Sequence, residues 1–362
     1  MKGIARLAQE LGISTGTVSR ALNGKPDVSD DTRRRVLEAA QHHGYAPNQA
    51  ARSLAQGATR AVGFVFELGP GGTAGFGYFV MGVFDGVQSV LRRHGLDLFV
   101  LPCPADQDRH AFIERLVARG VVDGIILAAT RRVDPSIEFL QASGLPFVTF
   151  GRSTSGQGYS WVDLDFEGVA NVAVDRLVAA GHRRIALTVP SGDLNFGAVF
   201  KDAYRGALAR HGLPYDPELV FVTRLDEAAG YELVDDLLRL ADRPTAIVLV
   251  YEIAAIGIYR RLAERGLEPG KDLAVIGFRD EPAIRFVVPS LTTFSISLQD
   301  IGVALGNALV DQIPQYSGHV SPRGTQLCCS LFLLPGDSDS FAPVAAEARE
   351  PDGVAAAPAT SP

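Results

Sequence analysis

Cysteine is scarce in this chain of 362 residues: Cys103, Cys328 and Cys329 are all it has. An odd count without C-x-x-C spacing excludes a zinc ribbon and a disulfide framework, and adjacent Cys328 and Cys329 fall on opposite faces of a strand. No apolar run approaches the ~20 residues needed to span a bilayer, and no signal peptide is read before the first helical stretch. A cytoplasmic protein without a membrane partner is therefore expected. A strong basic excess is missing too. The net charge of −7 argues against a protein that coats nucleic acid along its whole length.

Catalytic patterns are equally absent. The chain has no H-E-x-x-H, P-loop or nucleophile elbow, and its seven histidines form no ligand cluster; His42 and His43 point in different directions on one helix. Gly69-Pro70-Gly71-Gly72-Thr73-Ala74 formally fits a G-x-G-x-x-A phosphate fingerprint. That fingerprint needs an acid at the end of the second strand, where this chain has Leu101-Pro102-Cys103-Pro104. With Pro70 inside the turn, a loop is the better reading. Asp163 and Asp165 alternate in a polar stretch rather than forming an acid/base pair. No enzyme activity, cofactor or metal is expected.

What is present begins at the N-terminus. Ile4, Leu7, Ala8 and Leu11 recur at helical spacing, Gly12 stands where a left-handed C-cap would sit, and Ser14 is placed to cap a second helix from Thr15 to Leu22. Val18, Ala21 and Leu22 face inward, leaving Thr15, Gly16, Thr17, Ser19 and Arg20 outside. Small hydroxyls, a glycine and one arginine suit a helix lying close to base edges and phosphates. A third helix behind Ser29-Asp30-Asp31 is predicted to bury Val36, Leu37, Ala40 and Tyr45. After Pro47, the stretch from Asn48 to Gln56 has a helical pattern barely two turns long, marginal in isolation. It would order only against a partner copy or in a DNA groove.

Charge follows the same division. Residues 1–60 hold nine Lys/Arg against five Asp/Glu, a balance of +4, which leaves −11 for the rest. Phosphate attraction is confined to one end.

From Ala61 onward, continuous apolar strands alternate with amphipathic helices, the pattern of buried parallel sheets. Strands are read at 61–66, 96–101, 123–127, 146–150, 184–189, 219–222, 245–250 and 273–277, with helices between them. Gly95, Gly120, Gly144, Gly181, Gly212 and Gly266 each fall just past a predicted helix. About 275 residues suffice for two subdomains, each with its own core.

On Thr17-Val18-Ser19-Arg20, Val28-Ser29 through Thr32-Arg33, and Gly44-Tyr45-x-Pro47-Asn48-x-x-Ala51-Arg52-x-Leu54, residues 2–60 resemble the headpiece and hinge of the lactose-repressor (LacI-type) family of bacterial transcription regulators. Ala180-Gly181-His182-Arg183-Arg184-Ile185-Ala186, Val275-Ile276-Gly277-Phe278-x-Asp280 and Pro289-Ser290-Leu291-Thr292-Thr293 extend the resemblance to about residue 335.

The resemblance implies an N-terminal all-α helix-turn-helix headpiece (1–46), a hinge helix (47–60) and an α/β periplasmic-binding-protein-like effector domain (61–335). That domain comprises two doubly wound parallel-sheet subdomains with three crossovers, near 160, 290 and 322. The N-subdomain would hold about 61–160 plus 291–322 and the C-subdomain about 161–290 plus 323–335. Residues 336–362, rich in Ala, Pro, Asp and Ser, would be a disordered tail.

The implied partners are double-stranded operator DNA, a small sugar-like effector and a second copy of the chain. Thr15, Gly16 and Arg20 would read bases; Ser14, Thr17, Ser19 and Asn23 would contact the backbone. Leu54 would wedge into the minor groove, with Asn48, Ala51 and Arg52 on the same hinge turns. The effector cleft would be lined by the aromatic pair Tyr78 and Phe79. Here the chain departs from the family: Tyr251-Glu252 replaces Asn-Asp, Phe200 stands near a usual arginine, and Arg279 replaces the first acid of an Asp-Asp pair, leaving Asp280. Arg279 either favours an anionic effector or pairs with Glu252 into a neutral wall. Arg152 and Trp161, near the first crossover, would clamp or stack on a ligand, or pack the hinge. A sugar phosphate, sugar acid or nucleoside is the alternative effector, and a transporter's solute-binding protein the remote alternative.

Overall fold

The structure, a computed structural model, describes residues 3–22, 25–45, 58–68, 77–316 and 324–339. Its contacts divide into an N-terminal helical unit and a larger α/β unit.

The helical unit has α1 (Ile4–Leu11), α2 (Thr15–Leu22) and α3 (Asp30–His42). Gly12 ends α1 in the left-handed conformation at φ 65°, its region bonding back to Ala8 and Gln9 carbonyls, a geometry that glycine adopts without a Cβ penalty. Ser29 caps α3 by accepting from the Thr32 amide. Leu7, Ala8, Val18, Ala21, Val28, Val36, Ala39 and Ala40 form the small core, with Tyr45 packed against it. Leu37, expected inside, is 50% exposed: Val36, Ala39 and Ala40 form the inward stripe at i, i+3 and i+4, and Leu37 falls beside it.

The larger unit runs β1 (Ala61–Glu67), α4 (Gly77–Leu91), β2 (Asp97–Cys103), α5 (Arg109–Arg119), β3 (Gly124–Ala128), α6 (Pro135–Ser143), β4 (Phe147–Phe150) and β5 (Ser160–Leu164). It continues with α7 (Phe166–Ala179), β6 (Ile185–Pro190), α8 (Asn195–Arg210), β7 (Val220–Thr223), α9 (Glu227–Arg239), β8 (Ala246–Val248), α10 (Ala254–Glu264) and β9 (Ala274–Arg279). Last come β10 (Thr292–Ser295), α11 (Leu298–Val310), β11 (Gln326–Cys329) and β12 (Phe332–Leu334). Two six-stranded sheets result, ordered β11-β5-β4-β3-β1-β2 and β12-β10-β9-β8-β6-β7. All pairings are parallel except β10 with β12. Both sheets keep their apolar residues in register: Val65 lies between Leu101 and Leu127, and Leu187 between Val220 and Val248. The six glycines expected past helix ends all have positive φ.

In each half one helix pair packs backbone to backbone. A Cβ on Gly86 of α4 would lie 2.1 Å from the Gln299 carbonyl oxygen, and one on Gly302 of α11 2.1 Å from that of Val83. Gly230 of α9 and Gly257 of α10 repeat the arrangement, each with a neighbouring carbonyl oxygen 1.9 Å from the Cβ it lacks.

Two sequence-based boundaries need correction. β5 and β11 belong to the first sheet and β10 to the second, so the chain passes between the sheets after residues 164, 295 and 329, each a few residues later than expected. A strand leaves its sheet only once its amides and carbonyls are paired, and β5 pairs along its length with β4 and β11. The ordered chain also extends past 336. Ser338 and Asp339 are buried: Ser338 Oγ accepts from the Thr292 amide and donates to the Val275 carbonyl, and Asp339 accepts from Thr292 Oγ1 at 2.6 Å. Residues 340–362 of the expected tail lie outside the described residues, as do 47–57 of the expected hinge and the loop at 69–76.

Candidate functional site

On the helical unit, α2 turns Val18 and Ala21 into the core and leaves Thr15, Gly16 and Arg20 exposed, with Thr17 and Ser19 partly so. Ser14 Oγ accepts from the Thr17 amide at 3.0 Å and is 2.9 Å from Thr17 Oγ1, so these two hydroxyls order the helix start as well as facing outward. Arg20 pairs loosely with Asp27 at 3.3 Å, both half-exposed; such a pair is weak and leaves the arginine available. Asn23, Asn48, Ala51, Arg52 and Leu54 lie outside the described residues.

The second site is a cleft within the α/β unit, at the carboxyl ends of strands from both sheets, where open α/β folds form ligand sites. It encloses about 810 Å³ of space including its mouth. From the first sheet's side come Phe79 of α4, Ala128 at the end of β3 with Ala129 and Thr130 beyond it, Phe150 at the end of β4 with Arg152 beyond it, and Asp163 and Leu164 of β5. The second sheet contributes Phe166, Leu194, Phe196, Leu225, Val250, Tyr251, Phe278 and Arg279. Aromatic rings dominate. Phe79 stacks on Phe150 with centroids 5.6 Å apart, and Phe166 stacks on Phe278 at 4.9 Å and on Phe196 at 5.2 Å.

Both arginines of the cleft are already paired. Arg152 donates from Nε to Asp163 Oδ2 at 2.7 Å and from Nη2 to Glu167 Oε2 at 2.8 Å. Burial works against its charge, but the bonds to Glu167 and Asp163 outweigh that and raise its pKa. Burial raises the Asp163 carboxyl above the usual range despite the opposing pull of Arg152. Arg279 donates from Nη2 to Glu252 Oε1 at 2.8 Å, while its backbone amide donates to Oε2 at 3.1 Å. Its guanidinium carbon lies 4.0 Å from the Phe79 centroid and 5.8 Å from that of Tyr251. Desolvation opposes the Arg279 charge and Glu252 restores it, for a net rise. Burial also raises the Tyr251 hydroxyl, so it stands as a neutral hydrogen-bonding group.

Of the residues singled out in the sequence, Phe79, Arg152, Tyr251 and Arg279 meet in the cleft. Glu252 lies behind Arg279, fully buried. Three others are placed elsewhere. Phe200 is fully buried behind Phe166 and Phe278, because an apolar ring at the usual arginine position prefers the core. Asp280 turns away to pair with Arg285 at 2.8 Å. Trp161 carries the Arg152 guanidinium at 5.6 Å and does not line the cavity. The side chain of Tyr78 is outside the described residues. Asp163, Thr130 and the phenylalanines at 150, 166, 196 and 278 were missed. The signal for them was their place at or just beyond strand ends, which a burial-based reading treats as core.

Comparison with known proteins agrees with this architecture. The profile of bacterial regulatory proteins of the lacI family matches residues 1–48, and that of periplasmic binding protein-like domains matches residues 174–338. The HTH-type transcriptional regulator AglR of Rhizobium meliloti (strain 1021) is 37% identical over 317 residues, 86% of this chain and 87% of its own. RafR of Escherichia coli, also an HTH-type transcriptional regulator, is 32% identical over 340 residues, 92% and 97% of the two chains. Among solved structures, the transcriptional regulator CelR–cellobiose complex superposes with a TM-score of 0.70 at 27% identity, covering 93% of this chain and all of the other. The lac repressor dimer bound to operator and the anti-inducer ONPF gives 0.79 at 22% identity, covering 93% and 98%, a likeness of fold.

Proposed function

This chain belongs to the lacI family of bacterial regulatory proteins, and from that premise we propose that it is a repressor of a carbohydrate-uptake or catabolic operon, released from or locked onto its operator by a neutral, sugar-like effector. Two protomers set their headpieces about one helical turn apart on a pseudo-palindromic duplex. Thr15, Gly16 and Arg20 read base edges, and Ser14, Thr17, Ser19 and Asn23 hold the phosphate backbone. The hinge residues Asn48, Ala51, Arg52 and Leu54 order in the minor groove. Effector binding changes the angle between the two sheets and with it the cost of pairing the hinges.

The observation that carries the effector reading is the charge state of the cleft. Arg152 and Arg279 both have carboxylate partners, so neither is left to neutralise a phosphate or sugar acid. An anion would have to compete with these carboxylates, and at the buried Arg279–Glu252 pair that is costly. Stacked phenyl rings suit the C–H faces of a neutral sugar ring, and the edges of Thr130, Asp163 and Tyr251 suit its hydroxyls. The solved complex of the regulator CelR with cellobiose supports the same class.

Two measurements test this. Calorimetric titration of full-length protein with neutral mono-, di- and trisaccharides, sugar phosphates and sugar acids should yield binding only among the neutral compounds. Tight binding of a sugar phosphate or acid overturns the neutral reading. Selection from random duplexes should return a two-fold-symmetric site whose affinity changes with the bound sugar; an asymmetric site or no selection overturns the operator reading.

A further inference from the structure

One wall of the cleft holds more negative charge than it can pair. Glu252 is fully buried and Glu281, two residues beyond Arg279, is 7% exposed. Among the described residues one cation, Arg279, faces both, and Glu252 already engages it through Nη2, Nε and the backbone amide. Glu281 Oε2 has no hydrogen-bond partner. Its side chain borders a small pocket shared with Phe79, Arg279, Asp280, Ile296 and Leu298.

The same guanidinium joins the two halves of the α/β unit. Arg279 ends β9 of the second sheet, whereas Phe79 lies on α4, whose packing partner α11 lies against β3, β4 and β5 of the first sheet. Their stacking at 4.0 Å therefore spans the cleft. Phe79, Ile296 and Leu298 present only apolar side chains to Glu281. Asp280 is held by Arg285. Among the described residues, Glu252 and Arg279 are thus the charged groups that set the state of Glu281.

We propose that closing the cleft onto the Phe79–Arg279 stack takes up one proton at Glu281, and that opening it releases that proton. With Glu281 neutral, the wall is a balanced Arg279–Glu252 pair lying on a phenyl ring. Ionised, Glu281 adds an unpaired buried charge, which is relieved only when the wall separates and water reaches the carboxylate. Burial first, and Glu252 second, push the Glu281 carboxyl up to about 7, against the pull of Arg279. The sign follows: the closed form binds the proton below that value, so closure is favoured as pH falls and weakened as pH rises through 7. The site adjoins the cleft proposed above for the effector and shares Phe79 and Arg279 with it, but the test needs no effector.

Full-length protein without ligand is followed by hydrogen exchange, with exchange times scaled for the intrinsic pH dependence, over residues 77–91 and 279–285. Between pH 6 and pH 8 the wild type should lose protection several-fold in both segments together. Glu281→Gln, a neutral stand-in for the protonated acid, should stay protected throughout. An identical pH profile in Glu281→Gln, or no change in the wild type, overturns the proposal. Should the variant not fold, difference infrared spectroscopy of wild-type protein carrying ¹³C-labelled glutamate decides. A protonated carboxyl band at pH 6 that disappears by pH 8.5 supports the proposal, and its absence at pH 6 overturns it. Failure of every saccharide to bind would refute the effector reading while leaving these profiles unmoved.

Discussion

Arg152 and Asp163, eleven residues apart, meet through Nε and Oδ2 at 2.7 Å, one just past β4 and the other on β5. Asp163 also accepts from the Arg152 and Leu164 amides, so one buried carboxylate ties two adjacent strand ends at the cleft. Asp163→Ala should reduce stability by about 2–4 kcal/mol, since a charged hydrogen bond is lost and buried donors are left open. It should also weaken effector binding at least tenfold. Urea unfolding and calorimetry read the two effects separately, and full affinity in a folded variant would remove Asp163 from the site.

Arg279→Ala would strand Glu252, which has no exposure. Breaking a buried pair from one side costs about 3–5 kcal/mol. The double variant Arg279→Met with Glu252→Gln should recover most of that loss, because neither charge remains to be solvated. A double-mutant cycle by chemical denaturation checks this; equal losses for single and double variants would contradict the pairing.

On the proposed base-reading role of Arg20, Arg20→Ala should cost about 1–3 kcal/mol at one base pair and flatten preference there. The charge removed is half-exposed, so folding should be unaffected. Leu54→Ala should weaken specific binding and reduce bending of the duplex. Gel-shift titrations on matched and mismatched operators, with a circular-permutation bending assay, measure both.

Gly302→Ala and Gly257→Ala should each destabilise by about 1–3 kcal/mol, although alanine is the better helix former by roughly 1 kcal/mol. The added methyl has no room: it would meet a backbone carbonyl at 2.1 Å in one case and 1.9 Å in the other. A rise in thermal midpoint for either would show that the helix pairs separate at little cost.

Cys328 is exposed, yet partial burial and nearby Asp165 and Asp163 push its thiol up to about 11 against the pull of Arg152. Its thiolate fraction at pH 7.5 should be on the order of a hundredfold below that of free cysteine. Iodoacetamide labelling followed by mass spectrometry should be slow at that pH and accelerate steeply toward pH 11. Fast labelling at neutral pH would place the thiol in a less apolar setting.

Much of this was readable along the chain. Helix caps such as Gly12 and Ser29, the apolar stripe of Val18 and Ala21, and the long runs of β1, β3, β6 and β9 are local signals, set by backbone geometry and neighbours within a few residues. The family motifs added the cleft position of Arg279. Three strands were harder: β11 and β12 are short edge strands, largely exposed, and β5, though buried between β11 and β4, is short and carries Ser160 and Asp163, so their period-2 pattern is weak.

By itself, the order of amino acids determined the helix-turn-helix, the alternation that builds two parallel sheets, and the separation of a basic head from an acidic body. Each depends on periodicity, capping or composition, which act over one or two turns of chain. Tertiary structure alone decided that Arg279 is bound by Glu252, 27 residues away, that Phe200 is core rather than cleft, and that Ser338 and Asp339 are buried. A buried charge takes whichever partner the fold brings within about 3 Å, and neither that partner nor the space left for a side chain is encoded in its immediate neighbours.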